Sequence, residues 1–100
     1  IIMLSLYNEK PISISINSKN KIKVEFCNIK MNLNPCQFRI FHNYLSGVSK
    51  NLNGSKSQVE LLLVREELRV IISLSEFLQL CNAVQSVMAE KFGSRSPIVN

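Results

Sequence analysis

From residue 11 the chain alternates. Pro11-Ile12-Ser13-Ile14-Ser15-Ile16 sets an apolar side chain at every second position, the period of a strand with one buried face. Ile22, Val24 and Phe26 repeat that period, and Ile29, Met31 and Leu33 repeat it again beyond Cys27-Asn28. The pair Cys27-Asn28 predicts a two-residue hairpin turn, because Asn tolerates the left-handed backbone such a turn requires. At Asn34 the period changes. Asn34-Pro35-Cys36-Gln37 reads as a helix start: Asn caps, Pro fits the first helical position, and Gln37 can reach back to the cap. Phe38, Phe41, Leu45 and Val48 then form one stripe at helical spacing, which should fade between Gly47 and Lys50. Residues 51–57, rich in Asn, Gly and Ser, predict a loop.

The second half follows the same plan. Ser73-Leu74-Ser75-Glu76 is a capping box in different letters, and Phe77, Leu80, Cys81, Val84, Val87 and Met88 form its stripe. Leu33 can staple onto Phe38 and Ile72 onto Phe77. Gly93 is a C-terminal stop signal, and residues 94–100 read as a tail. A displacement of 39 positions lays one half on the other, Asn34 on Ser73, Gln37 on Glu76, Ile22 on Leu61 and Met31 on Val70. Two readings fit: a duplicated strand–turn–strand–helix unit, residues 21–50 and 60–92, or two amphipathic strand–helix units that align through capping and pattern alone. In the second copy the turn falls on Glu66-Glu67, poor turn chemistry that only the repeat recommends.

The fold class that follows is α+β: one domain over residues 1–93, an antiparallel sheet of four or five strands with both helices on one face. The inward set is Ile22, Val24, Phe26, Ile29, Met31, Leu33, Leu61, Leu63, Leu68, Val70 and Ile72. Outward positions differ between the halves. The first hairpin offers Lys23, Glu25 and Asn32, whereas the second offers Leu62, Val64 and Ile71. A hairpin apolar on both faces needs a cover, either residues 1–16 or another chain.

The run Phe26-Cys27-Asn28-Ile29 with Leu33 and Phe38 resembles small uncharacterised bacterial domains that carry a Phe-Gly-Asn turn between short strands, followed by a capped helix bearing Phe. The likeness spans residues 21–90. It departs where Cys27 replaces Gly and in lacking a leading cysteine cluster. It implies the strand–turn–strand–helix pattern and no function.

Length and charge narrow the partners. One hundred residues suit a single core. The longest apolar runs fall far short of the ~20 residues that cross a bilayer. The apolar start lacks a basic leader and a small-residue cleavage site, so no signal peptide is expected. Three cysteines, Cys27, Cys36 and Cys81, are too few and odd for a disulfide framework; they point to a reducing, cytoplasmic setting. The net charge is +5, all of it in residues 1–50, where seven basic side chains face two acidic ones. An anionic partner would meet that half.

Chemistry is sparse. The chain has no Asp, and His42 is its sole histidine. The one adjacent carboxylate pair is Glu66-Glu67, and Gly47, Gly54 and Gly93 form no phosphate loop. Cys36 and His42 stand six residues apart, ~240° around a helix, so they cannot act as nucleophile and base. No paired cysteine spacing marks a zinc site. Cys81 reads as a small core residue. The expectation is therefore no enzyme, no metal and no cofactor.

Two binding roles remain. One is a protein-interaction module, a small accessory subunit or a self-associating domain, working through Leu62, Val64 and Ile71. The alternative is a basic nucleic-acid-binding domain using Lys19, Lys21, Lys23, Lys30 and Arg69. That face lacks the stacking aromatics of sheet-based RNA readers, since Phe26 points inward.

Overall fold

The structure, a computed structural model, describes residues 3–52, 57–63 and 68–91. Its elements run β1 (Met3–Glu9), β2 (Ile12–Asn17), β3 (Ile22–Phe26), β4 (Ile29–Leu33), α1 (Pro35–Lys50), β5 (Gln58–Leu63), β6 (Leu68–Ser73) and α2 (Leu74–Lys91). The class is α+β, but the strands form two sheets. β1 to β4 make a four-stranded antiparallel meander, and β5 and β6 pair only with each other. The expected antiparallel sheet of four strands is present, built from β1 to β4, and the second hairpin, expected within it, stands as a separate two-stranded sheet.

Both helices begin where their caps predicted. Asn34 Oδ1 accepts from the Gln37 N–H at 2.8 Å, and Gln37 Oε1 accepts from the Asn34 N–H at 2.9 Å. Ser73 Oγ accepts from the Glu76 N–H at 3.1 Å, and Glu76 Oε1 accepts from the Ser73 N–H at 3.0 Å. Each box satisfies two backbone donors at its helix start, one of them the cap residue's own N–H. The N–H of Leu74 is met by Ser57 O at 2.8 Å, which ties the start of β5 to the start of α2.

The first hairpin matches its reading. Ile22 opposes Leu33, Phe26 opposes Ile29, and Cys27 and Asn28 turn at φ 50° and 66°. The second hairpin does not repeat that register. Leu61 opposes Val70, where the 39-residue displacement would oppose it to Ile72. A slip of two residues keeps each side chain on its original face, so Leu61, Leu63, Val70 and Ile72 stay on the inner side although the pairing changes. The duplication has no support from the register. The proposed Glu66-Glu67 turn, Val64, Gly93 and residues 94–100 lie outside the described residues.

Strand β1 went unrecognised in the sequence. It carries an irregularity between Ser5 and Tyr7, so Leu4 opposes Ile16 and Tyr7 opposes Ile14. Leu4 stays exposed, while the adjacent Leu6 and Tyr7 both pack against the core, so the strand shows no period of two. Consequently residues 3–16 build the edge of the four-stranded sheet and are not available as a lid for the second hairpin.

One core joins the parts. Ile12, Ile14, Ile16, Ile22, Val24, Phe26 and Leu33 from the sheet share a buried cluster with Phe38, Phe41 and Leu45 of α1. Val59, Leu61, Leu63 and Ile72 of the hairpin belong to it, as do Phe77, Leu80, Val84 and Val87 of α2. Only one face of the four-stranded sheet is buried, so both helices lie on that face. Ile29, Met31 and Val70, expected inward, are half-buried at the rim of the cluster.

Candidate functional site

Among the described residues, three places bring candidate groups together. The first is the outer face of the β5–β6 hairpin. Strand parity sets Gln58, Glu60 and Leu62 on one side of β5 and Arg69, Ile71 and Ser73 on the matching side of β6. Leu62 is 47% exposed and Ile71 is 63% exposed. They are diagonal neighbours: Glu60 opposes Ile71, and Leu62 opposes Arg69. The other diagonal is an ion pair, Arg69 Nε to Glu60 Oε2 at 3.6 Å. Four side chains thus alternate at the corners of a small parallelogram, two apolar and two oppositely charged. The hairpin is held against α1 by Tyr44, whose hydroxyl oxygen accepts the Leu62 N–H at 2.7 Å.

This placement divides the residues read from sequence. Leu62 and Ile71 share the face as expected, and Val64, their third member, lies outside the described residues. Arg69 was grouped with the lysines on the premise of a continuous sheet. It stands instead on the separate hairpin, engaged with Glu60.

The second place is the outer face of the four-stranded sheet. Glu25 sits at its centre. Its Oε1 accepts from Ser13 Oγ at 3.0 Å, while Oε2 lies 3.9 Å from Lys23 Nζ and 3.7 Å from Lys30 Nζ. The cross-strand register explains the cluster, since Glu25 opposes both Ser13 and Lys30 and is two residues from Lys23. Lys19 and Lys21 stand in the turn before β3, where Asn17 Oδ1 accepts their backbone N–H groups at 2.8 and 2.9 Å. The structure therefore brings Lys23 and Lys30 together around a carboxylate that offsets part of their charge.

The third place is a cleft of about 260 Å³ between the helices, lined by His42, Ser46, Ser49 and Lys50 of α1 and by Cys81 and Gln85 of α2, among others. His42 Nε2 lies 2.6 Å from Gln85 Oε1. That oxygen can only accept, so Nε2 donates to it. Nδ1 is buried and has no partner among the described residues. Burial holds the Cys81 thiol above its ordinary value, which keeps it protonated and a poor nucleophile. No carboxylate lines the cleft. Sequence reasoning saw His42 and Cys81 singly but had no signal for their meeting.

Cys27 and Cys36 stand apart from this cleft. Cys36 is exposed at the start of α1. Cys27 is half-buried, and its pKa is raised first by burial and then by the charge of Glu76 and a hydrogen bond to it. No group of three or more His, Cys, Asp or Glu side chains among the described residues is arranged to hold a metal ion. No helix among them is long and apolar enough to cross a membrane.

No family model, no curated protein and no solved structure matches the chain.

Proposed function

We propose that the chain is a non-enzymatic interaction module, a small accessory subunit or self-associating domain that works through the outer face of its second hairpin. One observation carries this reading: Leu62 and Ile71 stand 47% and 63% exposed on a two-stranded sheet whose other face is already spent on the core. Burying such side chains contributes about 1.5–3 kcal/mol each when complete, so leaving both in water gives a partner something to gain. The Glu60–Arg69 ion pair beside them supplies direction, because charged groups at an interface select orientation more than they add affinity.

The test is the double substitution Leu62→Lys with Ile71→Lys. Both positions are solvent-facing, so far-UV circular dichroism and the melting temperature should change little. Association should be lost, read as light-scattering mass for self-contact and as recovery of bound protein for a different partner. Association that survives the double substitution refutes the reading. Steep salt-dependent binding to random RNA, weakened by Lys23→Ala and Lys30→Ala, would instead favour the basic sheet face as the working surface.

A further inference from the structure

We infer that the partner on the hairpin face is a second copy of this chain, docked across a two-fold axis that runs along the Leu62–Ile71 diagonal. The inference rests on the reading of that face as the contact surface and names its occupant. The face is self-complementary. In a two-fold dimer each residue meets its symmetry mate or exchanges places with another: if i touches j, then j touches i.

The four outer corners satisfy this in one way. Successive outward residues on a strand are about 6.8 Å apart, and directly opposed residues about 5 Å. An axis along the strands would set Glu60 over Ile71 of the other copy and Leu62 over Arg69. An axis across them in the plane would set Glu60 over Leu62 and Arg69 over Ile71. Both arrangements place charge on apolar surface. The Leu62–Ile71 diagonal instead sets Leu62 over Leu62 and Ile71 over Ile71, while Glu60 of each copy falls beside Arg69 of the other. With those spacings the strands of the two copies cross at roughly 70°, close to the orthogonal class of sheet packing. The ion pair seen within one chain at 3.6 Å would then be shared between two.

Charge balance favours a copy over an acidic partner. The chain carries +5, yet this face pairs one carboxylate with one guanidinium. A surface evolved for an acidic protein would show a single sign, whereas one that meets itself must be neutral or alternate. The polar neighbours Gln58 and Ser73, opposed at the end of the ladder, would form the rim. An interface this small belongs with weak, concentration-dependent contacts.

Charge exchange tests the geometry. Glu60→Arg places two guanidinium groups at each cross-copy contact, and Arg69→Glu places two carboxylates there. Each variant alone should dimerise at least tenfold more weakly than the parent in sedimentation equilibrium, with an unchanged circular dichroism spectrum. An equal mixture of the two should recover a heterodimer, because the guanidinium introduced in one variant would then meet the carboxylate introduced in the other. Both variants keep a net positive charge, so bulk attraction cannot produce the recovery. Parent protein that stays monomeric up to about 1 mM overturns the second copy. That result leaves the interaction reading to be judged by partner binding of the Leu62→Lys, Ile71→Lys double variant. Dimers that ignore the single changes, or a mixture that fails to recover, overturn the diagonal axis.

Discussion

The hydroxyl of Tyr44 on α1 accepts the backbone N–H of Leu62 on β5 at 2.7 Å. That N–H points away from β6, on the side of β5 where no strand pairs. An unpaired edge donor is thus satisfied by a helix side chain, which partly closes an edge that could otherwise recruit a strand. The same bond fixes how the apolar outer face is presented.

Tyr44→Phe should therefore cost about 0.5–1.5 kcal/mol in urea denaturation, the usual contribution of one hydrogen bond. The more specific readout is amide exchange at Leu62, which should accelerate while the core amides of β3 stay protected. Unchanged exchange at Leu62 would show that the hydroxyl does not hold this edge.

The triplet Leu61-Leu62-Leu63 offers an internal control on strand register. Leu61 is completely buried and Leu62 is half exposed. Leu61→Ala should cost about 2–5 kcal/mol, whereas Leu62→Ala should fall within about 0.5 kcal/mol. The reverse order in chemical denaturation would mean that the strand presents its other face.

Removing a cap side chain tests the two helix starts separately. Asn34→Ala and Ser73→Ala should each lose about 1 kcal/mol, with Gly at either position restoring most of it. The measurement is the denaturation midpoint at constant slope. A loss below the noise at Ser73 would mean that the Ser57 carbonyl on Leu74 N–H alone secures that end.

Two thiols make stability depend on alkaline pH. Cys27 and Cys81 both have pKa values raised above the ordinary 9.0, Cys81 by burial and Cys27 by burial and then Glu76. The folded chain holds these protons more tightly than the unfolded one. Their contribution is complete below about pH 9 and is lost as pH rises through the folded values. Stability should fall above that point, and the double variant Cys27→Ser, Cys81→Ala should flatten the decline. An identical alkaline profile in parent and variant would assign the loss to other groups.

Much of this architecture could be read from local signals. The capping boxes at Asn34 and Ser73 located both helices because a cap acts within four residues. The alternation in β2, β3 and β4 named the buried face because a strand half in water writes its period directly. What escaped was non-local or irregular. The irregularity in β1 turned the adjacent Leu6 and Tyr7 toward the core and erased the period. The unbroken run at residues 61–64 hid the register of the second hairpin, and the separation of that hairpin from the sheet depends on pairing that no single strand encodes. Of the proposed contact surface, Leu62 and Ile71 were legible from strand parity alone. Glu60 was not, because its partner Arg69 is diagonal across a register that the repeat misplaced.

Among the described residues, every hydrogen-bonded ladder joins strands that follow one another in sequence: β1 to β2, β2 to β3, β3 to β4, and β5 to β6. Each therefore closes a short loop, at small entropic cost, before any distant part of the chain is engaged. The long reach is left to α2, whose Gln79 side-chain amide donates to the carbonyls of Glu9 and Lys10 at 3.2 and 3.4 Å. Folding of this chain is then a search with one expensive step. Local hairpins and capped helices can assemble early, and the arrival of the last helix on the first two strands turns these pieces into one cooperative unit.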